Sequence, residues 1–281
     1  MAIQLARAYD TEIISADSRQ CFREMAIGVA RPSAAELAAV PHHFIASHSI
    51  HEEVTAATFE QFALAKAAEL FSKKDVVIVA GGTGLYIRAF CEGLDMIPDI
   101  DPAIRQDIVR KYEENGLEWL QNALKQNDPD FYTKGEIQNP QRCMRALEVR
   151  LSTGKSILHF RTGNKADRGF RIIKTGLDLP KEILHRQIQH RVDKMMQEGL
   201  EEEVKSLFPF RQLNALQTVG YSELFSYLVG KTTREQAVEA IKIHTRQYAK
   251  RQLTWFRKDT GITWFSPHQT ASLFEFIKES M

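Results

Sequence analysis

Apolar positions near the start of the chain follow a helical rhythm, with Ile3, Leu5, Ala6 and Tyr9 on one face, and then change to the run at 12–16, which reads as a strand ending at Asp17. Residues 58–73 read as a second amphipathic helix. Residues 75–80, DVVIVA, read as a strand buried on both faces, the type found inside parallel sheets. Helix, strand, helix, strand predicts an α/β core. Gly81-Gly82-Thr83-Gly84-Leu85-Tyr86 follows that strand directly and reads as a tight turn into a further helix.

From residue 99 the texture turns charged and helix-favouring. Segments 103–115, 117–126 and 140–152 read as helices with little strand signal between them, so 99–169 is expected to be a helical insertion between core parts 1–98 and 170–281. The core resumes with a strand pattern at 170–179 and a long helix at 181–207, broken near Pro209. Helices at 222–229 and 233–258, a short strand at 263–265 and a final helix complete the pattern. The sequence has no internal repeat and no low-complexity segment.

Composition narrows the classes. At 281 residues, 43% hydrophobic and 26% charged, the chain is a folded protein of one large or two modest domains. Its 37 basic against 36 acidic side chains leave a net charge of +1, so any nucleic-acid site must come from local segregation of charge. Cys21, Cys91 and Cys143 are odd in number and far apart, with no Cys-x-x-Cys pair, which argues against a disulfide framework or a thiolate zinc site and points to a reducing cytosol. The longest apolar run, 76–80, is far too short to span a membrane, and the start carries acid early without a signal-peptide core. A cytoplasmic protein with no membrane role is expected.

Several motifs carry candidate chemistry. Asp17-Ser18-Arg19-Gln20 lies just past a strand end, where open parallel sheets place their ligand crevices, although an Asp-Ser pair there also serves as a cap or turn. The Gly-Gly-Thr-Gly loop offers backbone amides and a hydroxyl to an oxyanion, or is a plain turn. Thr153-Gly154-Lys155-Ser156 fails as a phosphate loop, because its leading glycine would fall at Val149 after a helical segment. Between Thr245 and Lys258, the cations Arg246, Lys250, Arg251, Arg257 and Lys258 interleave with Tyr248, Trp255 and Phe256, which suits phosphates or is an ordinary solvated helix face. Gln141-Arg142-Cys143-Met144-Arg145 is a second cationic segment. His42-His43 diverge on an extended segment without a third ligand nearby, so they do not read as a metal site. Arg191 either binds an anion or braces Asp193 and Glu198.

Taken together, ISADSRQ at 14–20, MAIGVARP at 25–32, Pro41-His42-His43, the Gly81 to Tyr86 loop, Gln141-Arg142 with Arg145-Ala146-Leu147-Glu148, Thr218-Val219-Gly220-Tyr221 and Lys250 to Arg257 resemble the tRNA dimethylallyltransferase (tRNA isopentenyltransferase) family. The likeness covers nearly the whole chain with the motifs in family order. It implies a P-loop-kinase-like parallel sheet core with a helical insertion that grips the anticodon stem-loop. The implied reaction moves a dimethylallyl group from dimethylallyl diphosphate to N6 of the adenosine just 3′ of the anticodon and releases diphosphate. By the resemblance, Asp17 is the general base, while Thr83 and Arg191 hold the leaving diphosphate. Contacts to tRNA would come from Asp17, Ser18, Arg19, Gln20, Thr83, Arg105, Gln141, Arg142, Cys143, Met144, Arg145, Thr218, Val219, Gly220, Tyr221, Ser222, Glu223, Lys250, Arg251, Gln252, Leu253, Thr254, Trp255, Phe256 and Arg257. Gln20 is expected to read a base, the cations to attract phosphates, and the protein to act as a monomer.

The family opens with a buried strand and a Gly-Pro-Thr-x-x-Gly-Lys-Thr-like loop, and the 281 residues contain neither. The Mg²⁺ implied by the resemblance would take its hydroxyl ligand from that loop. The chain as it stands is therefore expected to transfer little or no prenyl group, through a shortened start rather than evolved inactivity. Two other classes are a tRNA-binding protein without catalysis and a small-molecule kinase. The kinase leaves the basic stripe and the insertion unexplained, and ATP binding with and without tRNA separates it.

Overall fold

A computed structural model describes residues 1–281. The chain forms two compact units, Met1–Cys91 with Arg168–Met281, and Glu92–Asp167. The first unit opens on helix α1 (Ala2–Ala8), strand β1 (Ile13–Ser15), the two-residue strand β2 (His42–His43), helix α2 (Ala56–Phe71), strand β3 (Ile78–Ala80) and helix α3 (Gly84–Glu92). The second unit follows with α4 (Pro102–Asn127) and α5 (Pro140–Thr153). The first unit then resumes with β4 (Lys174–Leu177), α6 (Lys181–Gln197), α7 (Leu200–Leu207), α8 (Tyr221–Leu228), α9 (Arg234–Phe256), β5 (Ile262–Phe265) and α10 (Thr270–Ser280).

Every strand pair is parallel. β1 lies between β2 and β3, and β4 pairs with β5 in a second sheet. Central β1 is buried at all three residues, whereas β3 is only half-buried and covers 78–80. The reading of 75–80 as a strand buried on both faces is thus corrected: β3 stands at the edge of its sheet, with a partner on one side only. Around β1, Phe44, Phe59 and Tyr86 fill the core, the last two stacked 4.5 Å apart.

Local chemistry sets the helix ends. Thr55 and Thr58 form a capping box before α2, and Thr233 and Gln236 form one before α9. The 181–207 segment is two helices, not one, because Gly199 sits at φ 99° between them. In the second unit Gly116, at φ 73°, kinks α4 between the two helices read from the sequence, and Asn139 caps α5 ahead of Pro140. Leu120, Leu124, Phe131 and Leu147 form that unit's own core.

Glu201 on α7 is buried and hydrogen-bonded to Lys205 at 2.8 Å and Arg234 at 2.7 Å. Those two bonds hold its carboxyl below the usual carboxylate range. A depressed folded-state pKa stabilises the fold above the unfolded value and loses that contribution as pH falls through the folded value. Glu201→Gln is therefore expected to lower stability by about 2 kcal/mol at neutral pH, the worth of hydrogen bonds to a charged group. Denaturant melts against pH should show the two proteins converging as the medium turns acid; a constant gap would contradict this.

Candidate active site

Two loops meet at the ends of β1 and β3. After β1, Oδ1 of Asp17 accepts the backbone N–H of Arg19 at 2.8 Å and of Gln20 at 3.2 Å, closing a turn, while Oδ2 accepts none. One oxygen of the carboxylate is thus used by the turn and the other is left over. After β3, the Thr83 hydroxyl accepts the Ser18 N–H at 3.0 Å and donates to Ser18 Oγ at 3.3 Å, and the Thr83 N–H donates to the Ala16 carbonyl at 3.1 Å. Asp17 and Thr83 are fixed beside each other through Ser18.

The loop glycines serve close approach rather than a special backbone turn, since Gly81, Gly82 and Gly84 all have ordinary φ. A β-carbon at Gly82 would lie 2.2 Å from the Gln252 amide nitrogen, and one at Gly84 would lie 2.3 Å from the Trp255 indole. Gln252 Nε2 donates to the Gly82 carbonyl at 2.9 Å. The basic helix α9 is thereby seated on the Thr83 loop. Tyr248 of the same helix lies among Asp17, Arg19, Thr83 and Gln252, and burial raises its pKa. Burial likewise raises Tyr86, so both phenols are neutral at physiological pH. Arg19 is half-buried without an ion pair, and burial lowers its pKa against the partial opposition of Tyr86, Cys21, Asp17 and Tyr248. A cavity of about 400 Å³ opens next to this turn, lined in part by Ile13, Ser15, Gln20, Ala30, Arg31 and Gly81.

The MAIGVARP loop is held from beneath. Glu203 on α7 accepts the three consecutive N–H groups of Ala26, Ile27 and Gly28 at 2.8 to 3.0 Å, and the Tyr221 hydroxyl at 2.5 Å. Gly28 must lack a side chain, because its β-carbon would stand 2.5 Å from the Tyr221 ring. Arg31 donates to the carbonyls of Phe22, Arg23 and Met25. Gln20 Nε2 donates to the carbonyls of Val29 and Ala30 at 3.2 and 3.1 Å, and its Oε1 accepts from Ser15 at 3.4 Å. In the absence of tRNA these bonds tie the loop to the Asp17 turn through the Gln20 amide.

Several of the expected tRNA contacts are buried in the free chain. Gly220 and Tyr221 are buried under the 25–31 loop, and Cys143 and Met144 lie in the core of the second unit. Glu223 is also buried, bonded to the Gly220 N–H at 2.8 Å and to His244 at 2.5 Å. Thr218, Val219 and Ser222 are half-buried. Along α9, Lys250 and Arg251 are exposed and make no ion pair, with Arg251 5.8 Å from the Tyr248 ring centre. Arg257 is bound to Asp178 at 2.7 Å and Arg246 to Glu239 at 3.2 Å, while Leu253 and Phe256 turn partly inward and Thr254 bonds to the Lys250 carbonyl. In the second unit Gln141 is exposed and Arg142 pairs with Glu136.

Arg191 is exposed on α6 and makes no ion pair. Asp193 pairs instead with Lys242 at 2.6 Å and Glu198 with Lys194 at 3.5 Å, so Arg191 braces neither. His43 bonds to Glu12 and His42 to the Val40 carbonyl, and no group of three or more His, Cys, Asp or Glu stands ready to hold a metal. Cys21 is fully buried, and burial with the nearby Asp17 charge pushes its thiol up to about 12. Cys21 should therefore resist a thiol reagent at pH 8 in the native chain, being both neutral and shielded, and react at once in denaturant. Rapid native labelling of Cys21, mapped by mass spectrometry, would contradict the packing described.

Parallel strands ending at a carboxylate and hydroxyl loop, with a basic helix laid against it, define a P-loop-kinase-like α/β transferase core. The family model described as IPP transferase matches residues 20–259. The chain belongs to that family. It is 46% identical to the tRNA dimethylallyltransferase of Christiangramia forsetii, over 100% of this chain and 93% of the relative. It is 43% identical to that of Cytophaga hutchinsonii, over 100% and 92%. Among solved structures, the full-length tRNA isopentenylpyrophosphate transferase of Bacillus halodurans matches with a TM-score of 0.72 and 31% identity, covering 99% of this chain and 90% of that one. A eukaryotic dimethylallyltransferase captured acting on tRNA matches with a TM-score of 0.75 and 25% identity, over 96% and 71%. No helix is long and apolar enough to cross a membrane.

Proposed function

We propose that the loops of this chain serve dimethylallyl transfer from dimethylallyl diphosphate to N6 of the adenosine just 3′ of the anticodon in tRNA, with release of diphosphate, when the strand and lysine-bearing loop that the resemblance implies are also present. The observation that carries the reading is the Asp17 carboxylate with one oxygen fixed in the turn and the other open, held beside the Thr83 hydroxyl and under α9. N6 is a weak nucleophile because its lone pair is delocalised into the adenine ring. As the N6–C1 bond forms and the allylic C1–O bond breaks, Asp17 takes the N6 proton and the bonding pair leaves with diphosphate. Negative charge then grows on the leaving oxygens. Thr83, by turning its hydroxyl from Ser18, and the unpaired Arg191 would meet it.

To reach the carboxylate the adenine must leave its stack, and the partly exposed ring of Tyr248 with the guanidinium of Arg19 would offer surfaces for a flipped base. Contacts to tRNA would come from the exposed Lys250 and Arg251, with Gln141, Arg142, Arg145 and Arg105 of the insertion gripping the anticodon stem-loop. Magnesium would neutralise the diphosphate, held mainly by phosphate oxygens and water, with the hydroxyl ligand that the resemblance implies. No step is routed through it. A reducing cytoplasm suits three cysteines that form no disulfide, and a monomer completes the reading. In a chain carrying the family's strand and lysine-bearing loop, Thr83→Val tests the leaving-group role: kcat should fall by roughly tenfold to a hundredfold with KM for tRNA little changed, since the lost donor acts on charge present only in the transition state. An unchanged kcat would remove Thr83 from that role.

A further inference from the structure

Glu148 takes no part in the chemistry above, yet its position calls for an explanation. Among the buried residues of α5 it is the only charged one, with its side chain 3% exposed. Its Oε2 receives Arg105 Nη1 from the first turn of α4 at 3.3 Å and Arg145 Nη1 from its own helix at 3.6 Å. The two arginines remain 56% and 40% exposed. An apolar residue here would avoid the cost of taking a carboxylate out of water, so stability alone does not account for the arrangement. Nor do two like charges gather unaided. What the arrangement produces is a pair of guanidinium groups drawn to one carboxylate oxygen, Arg105 by a hydrogen bond and Arg145 by an ion pair, each still about half exposed. Together with Glu148 they carry one net positive charge, and their paired forks match the oxygens of a phosphodiester.

We propose that Glu148 is a positioning residue that fastens Arg105 and Arg145 into one clamp for a single phosphate of the tRNA backbone. The proposal rests on the tRNA-binding reading above and adds two things to it: a role for a buried acid, and the joint action of two arginines. It makes a prediction opposite in sign to that of simple electrostatics. Removing a negative charge near a polyanion ordinarily tightens binding, whereas removing this one releases the clamp.

Filter binding of unmodified tRNA to the 281-residue chain across a salt series tests it, with circular dichroism melts reporting that each variant is folded. Glu148→Gln should weaken binding by about fivefold to tenfold and flatten the slope of log affinity against log salt by roughly 0.7 to 0.9, the share of one bound phosphate. Arg105→Ala and Arg145→Ala should each weaken binding, and the double variant should lose little more than either single one, because residues serving one phosphate together are not additive. Unchanged or tighter binding by folded Glu148→Gln, while Arg105→Ala weakens it, overturns the proposal and leaves the tRNA-binding reading standing. Losses that multiply in the double variant also overturn it. That arginine cycle, read on variants whose melts show them folded because the double change leaves the buried Glu148 without a partner, decides the matter even where Glu148→Gln fails to fold. If neither arginine variant nor their combination alters affinity, the insertion does not grip tRNA through these residues, and both the reading and the proposal fall.

Discussion

Asp17→Asn is expected to cut prenyl transfer by roughly two to four orders of magnitude, the usual contribution of a positioned proton acceptor. The turn should survive, because an asparagine carbonyl oxygen can still accept the Arg19 and Gln20 N–H groups that Oδ1 accepts now. What disappears is the second oxygen as a base. Measured as single turnovers in a chain carrying the family's strand and lysine-bearing loop ahead of Met1, the rate should fall while tRNA affinity changes little. An Asp17→Asn enzyme that keeps most of its rate would assign the proton to another group.

The second large effect is on affinity. Neutralising Lys250 and Arg251 together should weaken tRNA binding on the order of tenfold to a hundredfold and flatten its salt slope by about 0.7 to 0.9 for each phosphate no longer engaged. The reason is local: with a net charge of +1 the chain has no general pull on a polyanion, and these two cations are exposed and spent on no carboxylate. Arg257→Ala should do less, since its guanidinium is already bound to Asp178 and would have to give up that pair to bind phosphate. Filter binding over a salt series separates the cases. A double variant with the parent slope would make this part of α9 an ordinary solvated face.

Much of the core was legible because its signals are local. The apolar run before Asp17, the glycine loop after β3 and the long patterned helices each depend on neighbours a few residues apart, and they lie where the periodicity puts them. What eluded the sequence depends on distant partners. Glu203 reads as one more acid in a solvated Glu-Glu-Glu run, and only the fold brings it under the amides of 26–28, far away in sequence. Tyr221 and Gly28 appear in two separate motifs, and their reason for being together is that the ring occupies the space a Gly28 side chain would need. Gln20, next to the acid, also holds the Val29 and Ala30 carbonyls, a tie that its place in the sequence does not show. The break at Gly199 was missed because α6 and α7 are both amphipathic and a single glycine in a helical pattern is a weak stop. DVVIVA has the composition of an inner strand, and composition does not reveal whether a second neighbour is present to bury it.

The central claim is that the Asp17 and Thr83 loops bring an extruded adenine and an allylic diphosphate together. Its most direct test is incubation of unmodified tRNA and dimethylallyl diphosphate labelled in the allyl group with the same loop-bearing chain, followed by nuclease digestion and chromatography of the nucleosides. The account predicts label on N6 of the adenosine just 3′ of the anticodon, with one diphosphate released per group transferred and both signals lost together in Asp17→Asn. Tight tRNA binding with no labelled adenosine, or labelling that Asp17→Asn leaves intact, would contradict it.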